Sequence, residues 1–164
     1  MKIHIAGTAG GGKTTLARWV SQEFEAPAFD LDFVVYDVEA GERPPAEIER
    51  RIDDIRRLDD WVTEGAYRDA WLRPLLDDAT AIVWLDVSLA RAIFRMVKRH
   101  ARAEVRGQNQ HPGWVRLLRF LNYSRGTAQK QRSETLAMLD AYADKVFRCR
   151  TSRDVSAFKA RISV

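Results

Sequence analysis

The chain has 164 residues, of which 46% are hydrophobic and 30% are charged, so it can bury one ordinary core and we expect a single domain over residues 1–164. One cysteine, Cys149, excludes an internal disulfide, and with only three histidines no structural zinc site is recognisable. The first residues are apolar too briefly for a secretory signal, and no run approaches the roughly 20 apolar residues of a membrane span. We therefore expect a cytoplasmic protein with no membrane partner.

The net charge is only +4, but it is distributed unevenly. Residues 1–90 contain 10 Lys and Arg against 18 Asp and Glu, whereas residues 91–132 contain 11 Lys and Arg against one acid, Glu104. A solvated helix face usually mixes both signs, so this basic segment favours contact with an anion over simple exposure to water.

The first half of the chain alternates strand and helix patterns. Ile3 and Ile5 are β-branched and precede a glycine-rich loop, which predicts a strand. Leu16, Val20 and Phe24 recur at helical spacing. The predicted elements are a strand at 2–6, a helix at 13–24, a strand at 28–32, a helix at 45–58, a strand at 61–64 and a short helix at 69–76.

The second half continues the alternation. Residues 80–86 form an almost continuous apolar run, which is typical of a buried parallel strand. Ser88 is a suitable N-cap for a helix to about residue 103, and Ser152 for a final helix. Between them we predict a polar connection at 106–113, a helix at 114–142 and a strand at 145–149.

Strands that alternate with helices predict a three-layer α/β domain with a parallel sheet and right-handed crossovers. Ligands of such sheets bind at the carboxyl ends of the strands. The loop that begins at Gly7 and the acids Asp30, Asp32, Glu64 and Asp86 should therefore lie along one edge of the sheet.

The sequence Gly7-Thr8-Ala9-Gly10-Gly11-Gly12-Lys13-Thr14 matches the Walker A pattern, GxxxxGK[ST], between a predicted strand and a predicted helix. Glycines let backbone N–H groups converge on phosphates, the lysine reaches the β- and γ-phosphates, and the threonine hydroxyl ligates magnesium. The sequence predicts binding of ATP, or another nucleoside triphosphate, with Mg²⁺. The predicted nucleotide-binding residues are Ala9, Gly10, Gly11, Gly12, Lys13, Thr14 and Thr15.

Asp30 and Asp32 end the second predicted strand, where residues two apart point the same way. One carboxylate, Asp30, can hold magnesium through water, and the other, Asp32, can orient or deprotonate an acceptor hydroxyl. The alternative is that these acids merely cap the next turn.

Four features follow one another along the chain: the Walker A loop, the acids Asp30 and Asp32, Glu64-Gly65-Ala66-Tyr67-Arg68 after the third strand, and Arg95-x-x-x-Arg99 after the fourth. In this order the chain resembles the adenylate-kinase-like nucleoside monophosphate kinases. The stretch Trp61 to Tyr67 and the basic segment are most similar to small bacterial DNA topology modulation proteins of that superfamily. The resemblance covers nearly the whole chain. It implies a P-loop fold with a five-stranded parallel sheet and a short basic helical lid at about 95–125.

The resemblance also implies residue roles. Glu64 takes the position of an acid close to magnesium, and Arg68 that of an arginine that grips the acceptor's phosphate, with Tyr67 in place of the family's proline beside it. Arg95 and Arg99 match arginines at the root of the lid that contact the donor nucleotide and the transferred phosphoryl group. The predicted catalytic residues are Lys13, Asp32, Arg95 and Arg99, and the predicted acceptor-binding residues are Asp32, Tyr67 and Arg68. Asp86 is predicted to be structural, as a cap of the following helix.

These features favour an ATP- and Mg²⁺-dependent phosphotransferase whose acceptor the sequence does not identify. An alternative is a nucleotide-dependent regulator that binds nucleic acid or a protein through its basic segment, although no DNA-reading module is recognisable. A plain NTPase is a third hypothesis, but no water-positioning glutamine is recognisable in the sequence.

Overall fold

The computed structural model describes residues 1–105 and 114–163. The strands are β1 (Lys2–Gly7), β2 (Ala28–Asp30), β3 (Tyr36–Asp37), β4 (Gly41–Glu42), β5 (Trp61–Gly65), β6 (Ala81–Leu85) and β7 (Val146–Cys149). The helices are α1 (Lys13–Phe24), α2 (Leu31–Val35), α3 (Pro45–Arg56), α4 (Arg73–Asp78), α5 (Leu89–Val105), α6 (Trp114–Asp140) and α7 (Ser152–Ile162), with a 3₁₀ turn at Ala70–Leu72 before α4.

Five strands form one parallel sheet in the order β2-β5-β1-β6-β7. β1 lies in the centre, with β5 on one side and β6 on the other. The register pairs Asp30 with Glu64, Ile5 with Glu64, and Gly7 with Leu85. The carboxyl ends of β2, β5, β1 and β6 therefore lie side by side, as the predicted fold requires.

Helices cover both faces of the sheet and make three layers. On one face Leu16 and Val20 of α1 and Phe158 of α7 are buried against Ile3 and Ile5 of β1. The other face is covered by α2, α3, α4 and the end of α6, whose buried members include Leu31, Ile48, Ile52, Leu75 and Leu139. This confirms the three-layer α/β architecture, and each apolar face is buried against a neighbouring layer.

Two local predictions were wrong, and one element was missed. β2 ends at Asp30 rather than at residue 32, because the Asp30 Oδ1 accepts a hydrogen bond from the Asp32 N–H at 2.9 Å and caps α2. The hairpin of β3 and β4 was not predicted, since its strands have two residues each. The N-cap of α7 is Thr151 and not Ser152, because Thr151 forms a capping box with Asp154.

The predicted polar connection at 106–113 lies outside the described residues. The segment at 95–125 that the resemblance implies to be a lid begins on α5 and continues on α6. No helix within residues 1–105 and 114–163 combines the length and the apolar character needed to cross a bilayer.

A histidine is buried in the central strand. His4 has 1% of its surface exposed; its Nδ1 lies 2.9 Å from the Thr63 Oγ1, and its Nε2 has no hydrogen-bond partner. Burial, assisted by the nearby Lys13, lowers the pKa of His4 from 6.5 to about 3. The core therefore holds a neutral imidazole.

We expect His4 to make folding sensitive to acid. The unfolded chain protonates His4 near pH 6.5, whereas the folded chain does so only near pH 3. The free energy of unfolding is therefore unaffected by this group above pH 6.5 and falls as the pH is lowered from 6.5 towards 3. The loss is about 1.4 kcal/mol per pH unit in this window. Urea unfolding at pH 7, 6 and 5 should show that the free energy of unfolding declines more steeply with falling pH for the natural chain than for His4→Asn. The asparagine keeps a polar atom near Thr63. Equal slopes would contradict this role.

Candidate functional site

The loop between β1 and α1 is shaped by glycines. Gly10 and Gly12 have φ of 74° and 102°, in the left-handed region that favours glycine, and the Gly11 N–H donates to the Thr8 carbonyl at 3.0 Å. In α1, which is described in full, no side chain caps the N-terminus and the first turn carries no acid. The first backbone N–H groups of α1 are therefore left for a ligand, as a phosphate-binding helix requires.

Glu64 joins the loop to the sheet. Its side chain is buried at the end of β5, where Oε1 accepts a hydrogen bond from the Thr14 hydroxyl at 2.5 Å and Oε2 lies 3.8 Å from the Lys13 Nζ. Burial raises the pKa of Glu64, although the Thr14 hydrogen bond and the charge of Lys13 act against that rise. Three residues that the sequence assigned to phosphate and magnesium thus lie in direct contact.

Two further predicted acids lie beside Glu64. Asp30 is its register partner on β2, and burial raises the pKa of Asp30. Asp32 lies in the first turn of α2, is exposed, and accepts a hydrogen bond from the Tyr67 hydroxyl at 2.8 Å. Asp30 and Asp32 do not share one strand face as predicted, because α2 begins between them, yet both remain at this edge of the sheet.

The residues fit a magnesium ion that keeps most of its water. Within the described chain, no group of three or more His, Cys, Asp or Glu side chains is arranged to hold a metal ion by itself. Mg²⁺ commonly takes one or two protein oxygens together with water and substrate phosphates. The Thr14 hydroxyl, with Glu64 and Asp30 behind it, offers this kind of partial oxygen site.

Helix α5 packs directly on the loop. The Arg95 Nη1 donates to the Gly11 carbonyl at 2.8 Å, and a Cβ on Gly10 would lie 2.5 Å from the Ala92 carbonyl oxygen. Arg99 lies one turn further along α5 and is exposed. The structure thus brings Arg95 into contact with the loop, whereas Arg99 is exposed to solvent.

A first cavity, which we call the Arg68 cavity, has a volume of about 240 Å³. It lies between the beginning of the loop, the segment after β5 and one face of α6. Its lining includes Gly7, Thr8, Tyr67, Arg68, Trp84, Asp86, Gln129 and Arg132. Of the predicted acceptor residues, Tyr67 and Arg68 line this cavity, whereas Asp32 does not line it and is joined to it only through the Tyr67 hydroxyl.

A second cavity, the Arg95 cavity, has a volume of about 450 Å³ and lies between the end of the loop, α5 and the start of α7. Its lining includes Gly11, Gly12, Thr15, Arg91, Arg95, Arg150, Thr151 and Lys159. Arg150 and Lys159 were not among the residues predicted from the sequence. The only sequence signal for them was the positive charge near the end of the chain, which names no residue.

Arg68 is not a simple surface residue. Its Nη1 donates to the Ala66 carbonyl at 2.9 Å, and its Nε lies 3.3 Å from the Glu134 Oε2 on α6. Arg68 therefore connects the segment after β5 to α6 at the rim of the Arg68 cavity.

Asp86 does not act as the predicted cap of the next helix. Its carboxylate is bound by guanidinium groups, with the Arg132 Nε at 2.8 Å and the Arg148 Nη2 at 2.6 Å. Burial by itself would raise the pKa of Asp86, but these hydrogen bonds outweigh it and hold the pKa below its usual range. This cluster was missed because its members are 46 and 62 positions apart in sequence.

The sheet order and the loop together define an α/β P-loop fold with a five-stranded parallel sheet. Among solved structures, the chain is similar to the shikimate kinase of Bacteroides thetaiotaomicron, with 16% identity and a TM-score of 0.51 over 99% of this chain and 95% of that one. The shikimate kinase of Acinetobacter baumannii in complex with shikimate is 19% identical, with a TM-score of 0.48 over 81% of this chain and 79% of that one. No family model and no curated protein matches the chain. The finer resemblance to DNA topology modulation proteins stays a prediction.

We expect Gly10→Ala to separate the loop from α5, and Gly41→Ala to serve as its control. Both glycines have positive φ, 74° and 81°, so both variants lose about 1 kcal/mol from backbone strain. Nothing lies within 4 Å of a Cβ at Gly41, whereas Gly10→Ala also meets the Ala92 carbonyl. Urea unfolding should show a further loss of about 1 to 3 kcal/mol for Gly10→Ala alone. Equal losses in the two variants would show that the loop does not depend on this contact.

Proposed function

We propose that the protein is an ATP- and Mg²⁺-dependent phosphotransferase that moves the γ-phosphoryl group to the hydroxyl of a small acceptor. One observation carries this proposal: the two ends of the loop border two different cavities. Gly7 and Thr8 line the Arg68 cavity, whereas Gly11 and Gly12 line the Arg95 cavity. Phosphates bound by the loop would lie between a donor nucleotide in the Arg95 cavity and an acceptor in the Arg68 cavity.

The donor is held by the loop and by α5. Backbone N–H groups from Ala9 to Thr15 surround the phosphates, and Lys13 exchanges part of its contact with Glu64 for the β- and γ-phosphates. Arg95 lies against the loop and can meet the phosphate oxygens, and Arg99 joins it when the lid at about 95–125 closes over the nucleotide. Because phosphoryl transfer needs mainly alignment and positive charge, these groups supply much of the catalysis.

Magnesium would be held by Thr14, with Asp30 and Glu64 acting through bound water. When bound, the ion supplies positive charge to the phosphate oxygens. The protein's own part is to keep Glu64 buried and oriented by the Thr14 hydroxyl, so that the oxygen site is formed before the nucleotide arrives.

The acceptor would meet Asp32, Tyr67 and Arg68. Asp32 orients the acceptor hydroxyl and receives its proton as the acceptor oxygen bonds to the γ-phosphorus and the bond to the β-phosphate oxygen breaks. The Tyr67 hydroxyl holds Asp32 in place at 2.8 Å. Arg68 and Arg132 on the cavity wall favour an acceptor with an anionic group.

The proposal is tested by incubating the protein with γ-labelled ATP, Mg²⁺ and a panel of acceptors: shikimate, gluconate, glycerate and the four ribonucleoside 5′-monophosphates. We expect label transfer to at least one of them, and Lys13→Ala should reduce it by about 10³-fold because the phosphates lose their cation. Thermal unfolding of Lys13→Ala would verify that it is folded. Absence of transfer to a broad set of nucleotide, sugar and hydroxy-acid acceptors would overturn the proposal.

We expect Arg68→Ala to weaken binding of the acceptor and to leave binding of the donor nucleotide unchanged. Loss of a charged hydrogen-bond donor from the acceptor site should raise the acceptor KM by about 10- to 100-fold and leave the ATP KM within about twofold. Arg57→Ala is the matched control, since Arg57 is an exposed arginine at the C-cap of α3 that pairs with Asp54 of that helix. Steady-state kinetics with both substrates varied would measure the effects. An equal rise of both KM values would argue against an acceptor role.

A second function, binding of nucleic acid, is favoured by one observation. The exposed side of α5 carries Lys98, Arg99 and Arg102. Tight duplex DNA binding that falls steeply between 50 and 200 mM salt, together with no phosphoryl transfer, would favour this function over the kinase.

A further inference from the structure

Three arginines surround the single carboxylate of Asp86. Arg132 of α6 binds both oxygens, at 2.8 and 3.0 Å, and Arg148 of β7 binds Oδ2 at 2.6 and 2.9 Å. The Arg150 Nε lies 3.6 Å from the same Oδ2. Asp86 itself is 6% exposed, so this carboxylate is the buried centre of a group with two surplus positive charges.

Stability alone does not account for this arrangement. One bidentate arginine satisfies a buried carboxylate, and further arginines around it repel each other. Each arginine also points to a different place: Arg132 lines the Arg68 cavity, Arg150 lines the Arg95 cavity, and Arg148 lies over the Trp84 ring at 4.5 Å. The cluster therefore lies between the two cavities and contributes a side chain to each.

Asp86 also connects α6 to the sheet. Four residues of α6, Ala128, Gln129, Arg132 and Thr135, line the Arg68 cavity from one helix face. Two ion pairs join α6 to the segments that follow the sheet strands, and α6 supplies the arginine in one pair and the carboxylate in the other. Arg132 of α6 binds Asp86 after β6, and Glu134 of α6 lies 3.3 Å from Arg68 after β5. The Asp86 pair is bidentate with a buried carboxylate, whereas Glu134 is 45% exposed, so the Asp86 pair is the stronger of the two.

We propose that Asp86 is a positioning residue, which fixes the Arg132 guanidinium on the wall of the Arg68 cavity and thereby holds the 128–135 face of α6 over the acceptor. The kinetic part of this inference rests on the proposed phosphotransferase function. The Arg132 side chain is 55% exposed and would otherwise sample many rotamers. Its ion pair with the buried Asp86 carboxylate holds the guanidinium in one position on the cavity wall.

The test compares Asp86→Asn with Asp78→Asn. Asp78 is also bound by an arginine from another helix, with Arg56 at 2.8 and 3.3 Å, but it lies near Lys2 at the opposite end of the strands. Hydrogen exchange requires no substrate. We expect peptides within residues 125–140 to exchange about tenfold faster in Asp86→Asn, while Asp78→Asn leaves them at the natural rate. Should Asp86→Asn fail to fold, Arg132→Gln tests the same link from its exposed side and should speed exchange in the same peptides.

The second part of the test is steady-state kinetics with ATP, Mg²⁺ and whichever acceptor of the panel the natural chain phosphorylates. Asp86→Asn should raise the acceptor KM by about tenfold and change the ATP KM by less than about twofold. The double variant with Arg132→Gln should be no worse than Arg132→Gln alone, because Asp86 acts through Arg132.

The two proposals fail in different ways. If the natural chain transfers phosphate but Asp86→Asn matches Asp78→Asn in acceptor KM, or its effect adds fully to that of Arg132→Gln, Asp86 does not position Arg132. If no acceptor is phosphorylated but exchange rises selectively at 125–140, the link from Asp86 to α6 stands and the kinase proposal does not. Uniformly faster exchange along the chain would show that Asp86 contributes only to stability, and would overturn the inference.

Discussion

The buried carboxylate of Glu64 is the contact on which the candidate site depends. A carboxylate at the end of a central strand is costly to bury unless charged or hydrogen-bonding groups face it, and the partners that it has are the Thr14 hydroxyl and the Lys13 ammonium. These contacts tie the first turn of α1, and with it the end of the glycine loop, to β5. Removal of either partner would therefore disturb the sheet as well as the loop. The same three groups are also the ones that the sequence assigns to magnesium and phosphate, so the interaction that orders the site also prepares it for a ligand.

Charge is divided along the sheet edge. Asp30, Asp32 and Glu64 follow β2 and β5 on one side of β1, whereas Arg132, Arg148 and Arg150 gather around Asp86 after β6 on the other. The loop lies between these halves because β1 is the central strand. An acceptor in the Arg68 cavity would have guanidinium groups on one side and Tyr67, whose hydroxyl donates to Asp32, on the other.

The sequence predicted those parts that depend on local pattern. The loop and β6 follow from glycine spacing and from a continuous apolar run, because neither needs distant residues. The turn at Asp30 was mispredicted since its own side chain caps α2, a short-range competitor to strand extension that strand periodicity does not reveal. Asp86 was recognised only as a strand-end acid. Its partners come from α6 and β7, and no pairing rule at sequence level reaches across 46 or more positions.

The two cavities share Leu85 and Val87 as part of their walls, and this restricts how the site can work. Both residues flank Asp86, so the segment that separates the two cavities also carries the carboxylate at the centre of the arginine cluster. A shift of α6 would move Arg132 at one cavity and, through the shared carboxylate, alter the field at Arg150 in the other. A donor and an acceptor bound in the two cavities would therefore be separated by this one ion cluster. Such proximity suits a reaction in which two substrates must be aligned together.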